Sequence, residues 1–521
     1  MVYTFKLISE AFDAIVNKEK SVEVRFKKNR NIKKGDYIRF VELNGNRKTC
    51  VIVDSVEEFN CFDDFNNNVE LDKWNFEPKG KFDDFVKKEF LCNSNEKITA
   101  IFFSLAKVSI VMPVYNSELF LEETLDSISK QIFKNFELLI IDDYSNDNSK
   151  NIIDGYIDEL PILYYKNQKN IGAAETRNFG LNLVLSEYCQ FLDSDDIFDS
   201  QLLEQLVSAI EKHNTDIAIA EYDSIFNDEE YTLCKSNFIF EKELLDFKDT
   251  KFLWKDIPNY LMCWNNVPWN KLFRTSFLKN NSILFQDVPS SNDVYFCNIA
   301  MMIGTMIHTQ TFKPLIHYRV SNNNSISSKR NPFNEFSANN LIFSEMKRRK
   351  IKPNNRIKEN CLTNLFKYIR ECPSNLKESY FNMVKNELLL NNTLIDKDYI
   401  KSKHPIIKEL FNYHSFEEPV FNLKLDYIEI IYSSPKSIVN FIKRYSNDLT
   451  LEFTNYSDIF HLFKNRFEDI INISVISKNA SESNHSIACF SYLQRFEIEK
   501  EIEKYNIKNV TIIPFYKLNQ E

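Results

Sequence analysis

Glycine is the scarcest structural resource in this chain. Seven glycines occur in 521 residues, and none follows Gly304. That excludes a collagen-like chain and any flexible glycine-rich linker. No apolar run reaches the roughly 18–20 residues that a membrane-spanning helix needs. The best candidate, residues 99–115, is broken by Lys107 and Pro113. The first twenty residues lack the basic start, apolar run and small-residue cleavage site of a secretory leader, so a cytoplasmic protein is expected. Ten cysteines are scattered without one Cys-x-x-Cys pair. No structural zinc site is expected from that spacing, and reduced thiols packed in cores are. Positive charge is not in excess. Lys and Arg number 65 against 74 Asp and Glu, for a net charge of −9. A whole-protein electrostatic grip on nucleic acid is therefore not expected, although one basic face would remain compatible.

What is abundant is material for several cores. The hydrophobic fraction is 43% and the charged fraction 27%, which excludes a disordered chain. The length suits about three or four domains. Composition shifts place boundaries after residues 106, 330 and 415. Residues 1–106 read as short strands with one helix. Residues 107–330 alternate apolar strands (108–114, 136–141, 162–165, 188–192, 216–222) with amphipathic helices (119–131, 146–160, 173–185, 202–212). That alternation predicts right-handed βαβ units and a mainly parallel sheet. Residues 331–415 read as helical, and 416–521 as a small α/β domain with strands near 427–432, 449–453, 470–476 and 510–513. His461 and His485 are too isolated there to be read as ligands.

In a parallel sheet of this kind, ligands bind outside the carboxyl ends of the strands. The residues that fall there are Pro113, Val114, Tyr115 and Asn116 after the first strand, and Asp142 and Asp143 after the second. Asn170 and Gly172 follow the third, leading to Arg177. Asp193, Ser194, Asp195 and Asp196 follow the fourth. Three carboxylates within four residues repel one another unless a cation or protons compensate. Hard oxygen donors at that spacing suit Mg²⁺ or Mn²⁺.

These stretches, in order, are VSIVMPVYNSELFLEETLDSISKQ, FELLIIDDYSNDNS, NIGAAETRNFGL, QFLDSDD, PWNKLF, Asn292-Asp293 and HYRVSNNNSIS. As a series they resemble family 2 glycosyltransferases of the GT-A fold, with a Rossmann-like mixed sheet. The resemblance implies that Pro113, Val114 and Tyr115 line the nucleotide pocket, with Tyr115 against uracil. It implies that Asp142 or Asp143 bonds the base or ribose, and that Arg177 lies near the diphosphate or the base. Asp193 and Asp195 would form the DXD element, with Asp195 as the direct metal ligand and Asp196 as its competitor. Arg319 would approach the diphosphate. Asp293 would be the general base, although Asn292 stands where the family usually has Glu. Trp269 would pack in the core or touch sugar.

A second resemblance covers residues 1–106. FDAIVNKEKSVEVRF followed by RNIKKGDYIRF is similar to the ASCH group of PUA-like β-barrels, through Lys20, Glu23, Arg25 and Gly35-Asp36, without the leading Gly. The resemblance implies a fold that often binds RNA or modified nucleotides, and some ASCH proteins resemble small amidohydrolases. The cluster of Lys18, Lys20, Arg25, Lys27, Lys28, Arg30, Lys33 and Lys34 could meet phosphates or simply be a solvated face. A further basic run on a helix expected at 346–358 could face anionic lipids at the inner membrane, or be an exposed helix end.

The resulting expectation is a metal-dependent inverting transferase that moves a sugar from a UDP-sugar to a hydroxyl of a cell-surface glycan or lipid-linked acceptor. The alternative is a nucleotide- or RNA-binding protein with a degenerate transferase domain.

Overall fold

The structure, a computed structural model, describes residues 1–26, 31–61, 64–65, 68–69, 97–225, 234–235, 250–256, 267–288, 291–309, 314–319, 332–352, 374–390, 476–478, 485–489 and 510–514. The chain divides into two units, Met1–Lys352 and Pro353–Glu521.

The first unit opens with β1 (Val2–Leu7), α1 (Ser9–Val16), β2 (Val22–Phe26), β3 (Tyr37–Glu42), β4 (Lys48–Phe59) and β5 (Ile98–Leu105). They form one sheet in the order β1-β3-β4-β5-β2, with β1 and β3 parallel and the remaining pairs antiparallel. Among the described residues β1 and β2 are its two free edges. The closed barrel expected for residues 1–106 is therefore not seen there. Phe5, Phe12, Ile15, Phe40, Val51 and Phe103 close the core between α1 and the sheet.

The chain continues into β6 (Val108–Val114), α2 (Leu121–Ser129), β7 (Phe136–Asp142), α3 (Ser149–Tyr156), β8 (Ile162–Lys166), α4 (Ala173–Leu183), β9 (Tyr188–Phe191), β10 (Ile197–Phe198), α5 (Leu202–His213), β11 (Ile217–Ile219), β12 (Tyr222–Ile225) and β13 (Cys234–Lys235). Then come β14 (Lys271–Arg274), α6 (Thr275–Asn280), α7 (Asn292–Ile303), β15 (Met306–His308), β16 (Ile316–Arg319) and α8 (Pro332–Arg348). The central sheet runs β15-β11-β14-β9-β6-β7-β8. β9, β6, β7 and β8 are parallel, while β14 is antiparallel to both its neighbours. Every residue of β7 is buried, as expected for a strand covered on both faces. A Cβ on Gly180 of α4 would come within 2.4 Å of Val111 Cγ1, so glycine is what lets this helix lie close on β6. β6 has β7 on one side and β9 on the other. The strand order reverses there, and a crevice opens at the carboxyl ends.

Two sequence expectations fail in this unit. The strand expected at 216–222 is split. β11 belongs to the central sheet and β12 to a smaller sheet, β10-β16-β12-β13. Between them Ala220 N donates to Asn270 O, and the chain leaves the first sheet at that point. The helix expected at 346–358 ends at Arg348, and Lys350 follows at φ +60°. Arg348 and Arg349 both bond Glu345, whose carboxyl they pull down to about 2. That partly neutralises the basic run. Residues 353–358 lie outside the described residues.

The two sheets of the first unit meet along a polar seam. Arg39 on β3 is buried and donates to Ile162 O at 2.9 Å and Ile157 O at 2.8 Å. Lys48 Nζ donates to Tyr164 O at 2.9 Å, and the Tyr37 hydroxyl donates to Lys134 O. Glu137 on β7 accepts from the Ser109 hydroxyl at 2.6 Å and from Cys50 N at 3.3 Å. Burial pushes the Glu137 carboxyl up to about 7, partly opposed by those two bonds.

In the second unit the described elements are α9 (Lys377–Leu390) and β17 (Ile476–Lys478), β18 (His485–Cys489) and β19 (Val510–Pro514). The strands form a sheet in the order β17-β18-β19, with β18 and β19 parallel. The strands expected at 427–432 and 449–453 lie outside the described residues.

Candidate active site

The candidate residues gather at one edge because four parallel strands end there. Val114 at the end of β6 is in register with Asp142 at the end of β7. Beyond that pair the two loops are laced together. Asp143 N donates to Val114 O at 2.7 Å, Asn116 N to Ser145 Oγ at 3.0 Å, and Asn146 N to Asn116 Oδ1 at 3.0 Å. The side chain of Val114, expected at the pocket wall, is fully buried in the core with Leu121 and Leu125. Strand alternation turns it toward the helices. Pro113 is half-buried, and Tyr115 stands 52% exposed.

Asp142 and Asp143 face inward. Asp142 Oδ1 accepts from Ser145 N at 2.7 Å, and Oδ2 accepts from the Tyr164 hydroxyl at 2.6 Å, with Lys166 Nζ at 3.5 Å. Burial and that bond raise the Tyr164 hydroxyl above its ordinary value. Asp143 accepts from Asn167 Nδ2, Ile171 N and Gly172 N, each at 2.8 Å. Gly172 sits at φ +86°, where a side chain would be strained, and α4 begins after it. The pair thus shapes the loops at which donor contacts were expected. Asn170 in the same loop is exposed.

The acidic loop after β9 is built differently. Asp193 Oδ1 accepts from Arg177 Nη2 at 2.6 Å, and Ser194 Oγ meets Ser117 Oγ at 2.7 Å. Asp195 is half-buried. Asp196 is fully buried: Oδ1 accepts from Arg319 N at 2.9 Å, and Oδ2 has no hydrogen-bond partner. Burial, then the charges of Asp195 and Asp193, push the Asp196 carboxyl well above the usual carboxylate range. Arg319 clasps the loop from β16. Its Nε donates to Asp195 O at 3.0 Å, its Nη2 to Glu123 at 2.7 Å, and its guanidinium lies 4.2 Å over the Phe120 ring.

Arg177 joins this loop to the start of α7. It is buried, and besides Asp193 it donates from Nη1 to Asn292 Oδ1 at 3.3 Å. Asp293 follows in the first turn of α7, half-buried, with Oδ1 accepting from Val294 N at 3.0 Å. Sequence reasoning missed the group behind it. Lys271 is fully buried, and its Nζ donates to Val267 O and Asn270 Oδ1, each at 2.8 Å. Burial lowers its proton affinity, while the nearby Cys297 and Asp293 raise it. A lysine inside an otherwise apolar strand (LF follows it) was the available signal. Trp269 is buried, 4.7 Å from the Tyr222 ring and stacked 5.4 Å from Tyr318. Of its two expected roles, core packing fits.

In the N-terminal sheet Lys20 and Glu23 form a buried ion pair at 2.8 Å. The Arg25 side chain and residues 27–30 lie outside the described residues.

The acidic loop fits a hard divalent cation by its chemistry: the carboxylates of Asp193, Asp195 and Asp196 repel one another, and a cation would relieve that repulsion. Among the described residues no three acidic, imidazole or thiol groups converge on one point. Asp193 and Asp195 are the half-buried carboxylates of that loop that could hold a cation.

Residues 109–279 match the family described as Glycosyl transferase family 2. The chain is 37% identical over 124 residues to the glycosyltransferase GlyA of Streptococcus pneumoniae serotype 4, a match covering 24% of this chain and 18% of that protein. It is 31% identical over 155 residues to GlyG of the same organism, covering 29% of this chain and 49% of that one. It is 38% identical over 123 residues to the poly(ribitol-phosphate) beta-N-acetylglucosaminyltransferase TarP of Staphylococcus aureus, covering 23% and 37%. The chain thus spans from about a fifth to about half the length of these relatives. Among solved structures, S. aureus TarS 1–349 in complex with UDP-GlcNAc superposes with a TM-score of 0.49 at 19% identity, covering 62% of this chain and 91% of that one.

Proposed function

We propose, from the premise that residues 109–279 are a family 2 glycosyltransferase domain, that this protein is a metal-dependent inverting transferase using a UDP-sugar. The acceptor is a hydroxyl of a cell-surface glycan or a lipid-linked glycan. The relative TarP, named for poly(ribitol-phosphate) beta-N-acetylglucosaminyl transfer, supports a polymer of the cell envelope as the acceptor class, and a hexose or N-acetylhexosamine as the sugar.

One observation carries the reading. Arg177 bonds Asp193 and Asn292 together, so the acidic loop and the helix start bearing Asp293 are held as one site. The acceptor hydroxyl attacks the anomeric carbon while the bond from that carbon to the diphosphate oxygen breaks on the opposite face. Asp293 takes the hydroxyl proton, a contribution of about 10²–10⁴-fold for general-base help. A divalent ion, Mn²⁺ or Mg²⁺, held by Asp195 with Asp193, would supply charge neutralisation to the departing diphosphate. Asp195 fits the ligand role better than Asp196, whose carboxyl is sealed from solvent and anchors Arg319 N. Attack from the far side inverts the anomeric configuration.

The test is thermal melting with UDP, GDP, CMP and dTDP, with and without Mn²⁺. Saturation at a hundred times Kd stabilises by about 2.7 kcal/mol. A UDP shift that requires Mn²⁺ is the expected result. No shift with any nucleotide would sink the reading.

A further inference from the structure

Tyr144 occupies a backbone position that its side chain disfavours. It lies between Asp143 and Ser145 at φ +71°, in the left-handed region that bulky L-residues rarely adopt. Its neighbours fix that conformation. Asp143 N is bonded to Val114 O, and Ser145 N to Asp142 Oδ1. Glycine would meet the same geometry without strain. Yet the ring gains little from the fold in return, since Tyr144 is 53% exposed. Its ring lies 5.8 Å from Lys166 Nζ. An exposed aromatic kept in a strained conformation calls for a role outside the folding of its own loop.

The position suggests that role. Tyr144 follows the end of β7, and Tyr115 follows the end of the adjacent β6, 52% exposed. The two loops are tied at Asn116–Ser145 and Asn116–Asn146. Asp142 and Asp143 between them are turned inward, with each oxygen engaged by the protein. The groups exposed at this edge include, beside Asn116 and Asn146, two tyrosine rings and the half-exposed Lys166, whose ammonium donates to Ser145 O at 3.0 Å. Aromatic faces and a cationic donor suit a flat ring bearing carbonyl oxygens, such as a pyrimidine.

We propose that Tyr144 is a binding residue for the nucleobase of the donor, a second aromatic wall that acts with Tyr115 on a uracil ring. This rests on the reading that the donor nucleotide lies at this strand edge. It adds a contact that the acidic and basic residues of the site do not supply.

The test uses the full chain, with UDP and Mn²⁺ as the probe. Calorimetric Kd and the melting temperature are measured for the wild type, Tyr144→Gly, Tyr144→Asn and Tyr144→Phe. Glycine and asparagine both tolerate positive φ and both lack the large ring. They are expected to keep or raise the melting temperature while weakening UDP about five- to a hundredfold, the effect of one lost base–aromatic stack. Tyr144→Phe is expected to bind UDP within about threefold of the wild type, because the ring is kept. Wild-type affinity in both Tyr144→Gly and Tyr144→Asn overturns the proposal while leaving the nucleotide site standing. A wild-type protein that binds no nucleotide overturns both.

Discussion

Asp142-Asp143 and Asp193-Ser194-Asp195-Asp196 look alike in the sequence: acidic clusters at the ends of parallel strands in one sheet. Their surroundings differ. The first pair is met by five donors, from Ser145, Tyr164, Asn167, Ile171 and Gly172, with Lys166 nearby. The second cluster contains a buried oxygen that no donor meets. Asp193 has one bond from Arg177, Asp196 has one from Arg319 N, and the other Asp196 oxygen has no partner. A carboxylate surrounded by N–H and O–H groups is a brace. Carboxylates that crowd one another fit a cation. Each oxygen of the first pair has a donor, whereas Asp196 Oδ2 has none.

The largest effect should come from the cluster whose carboxylates crowd one another. Asp195→Asn should lower transfer about a thousandfold, the scale of several kcal/mol of charge stabilisation, with the melting temperature unchanged. A sugar-transfer assay beside a melting curve checks both halves, and full activity would remove the distinction between the clusters. The braced pair should behave in the opposite way. Asp143→Ala leaves three donors without their acceptor, and should cost about 3 kcal/mol of stability. Denaturant titration measures that loss. Unchanged stability would mean that the inward bonds hold nothing.

A third carboxyl, Glu137 in the seam between the sheets, sharpens the contrast because it is buried with few donors. Its folded value near 7 lies above the ordinary value of 4.5. The folded state therefore holds the proton more tightly than the unfolded chain. The stability from that proton is fully present below about pH 4.5 and is lost as pH rises through about 7. The loss has an upper bound of about 3 kcal/mol. Unfolding midpoints from pH 5 to 8 should fall in the wild type and stay flatter in Glu137→Gln. Parallel profiles would place the proton elsewhere.

Much of the scaffold could be read from the chain because its strands are continuous apolar runs. The strand expected at 108–114 is β6, and the helices at 173–185 and 202–212 differ from α4 and α5 only at their ends. The split at 216–222 was not legible, because it depends on Asn270, some fifty residues later, capturing Ala220 N. The site shows the same division. The order of Asp142, Arg177 and Asp193 along the chain marked the edge of the sheet, while Asp293 was read only from the family resemblance. Whether each carboxylate faces inward was set by Tyr164, Ile171 and Gly172 on other segments. The seam was equally hidden, since Arg39 finds its carbonyl acceptors more than a hundred residues downstream.

The smallest predicted effect concerns the link between the two ends of the candidate site. Arg177 is buried, its Nε has no partner, and its two remaining nitrogens divide between a carboxylate and an amide. The bond to Asp193 is short and charged, whereas the bond to Asn292 is 3.3 Å and has a neutral acceptor. Charge-assisted bonds are about twice as strong as neutral ones. Removing the weaker bond should therefore leave Arg177 on Asp193 and free the start of α7. Asn292→Ala should cost about 1 kcal/mol of stability. If the bond also sets where Asp293 points, kcat should fall about tenfold with KM for the donor unchanged, since the acidic loop keeps its arginine. A rise in donor KM instead would mean that the amide holds Arg177 in place for the acidic loop, and that the two ends depend on each other more evenly than the bond lengths indicate.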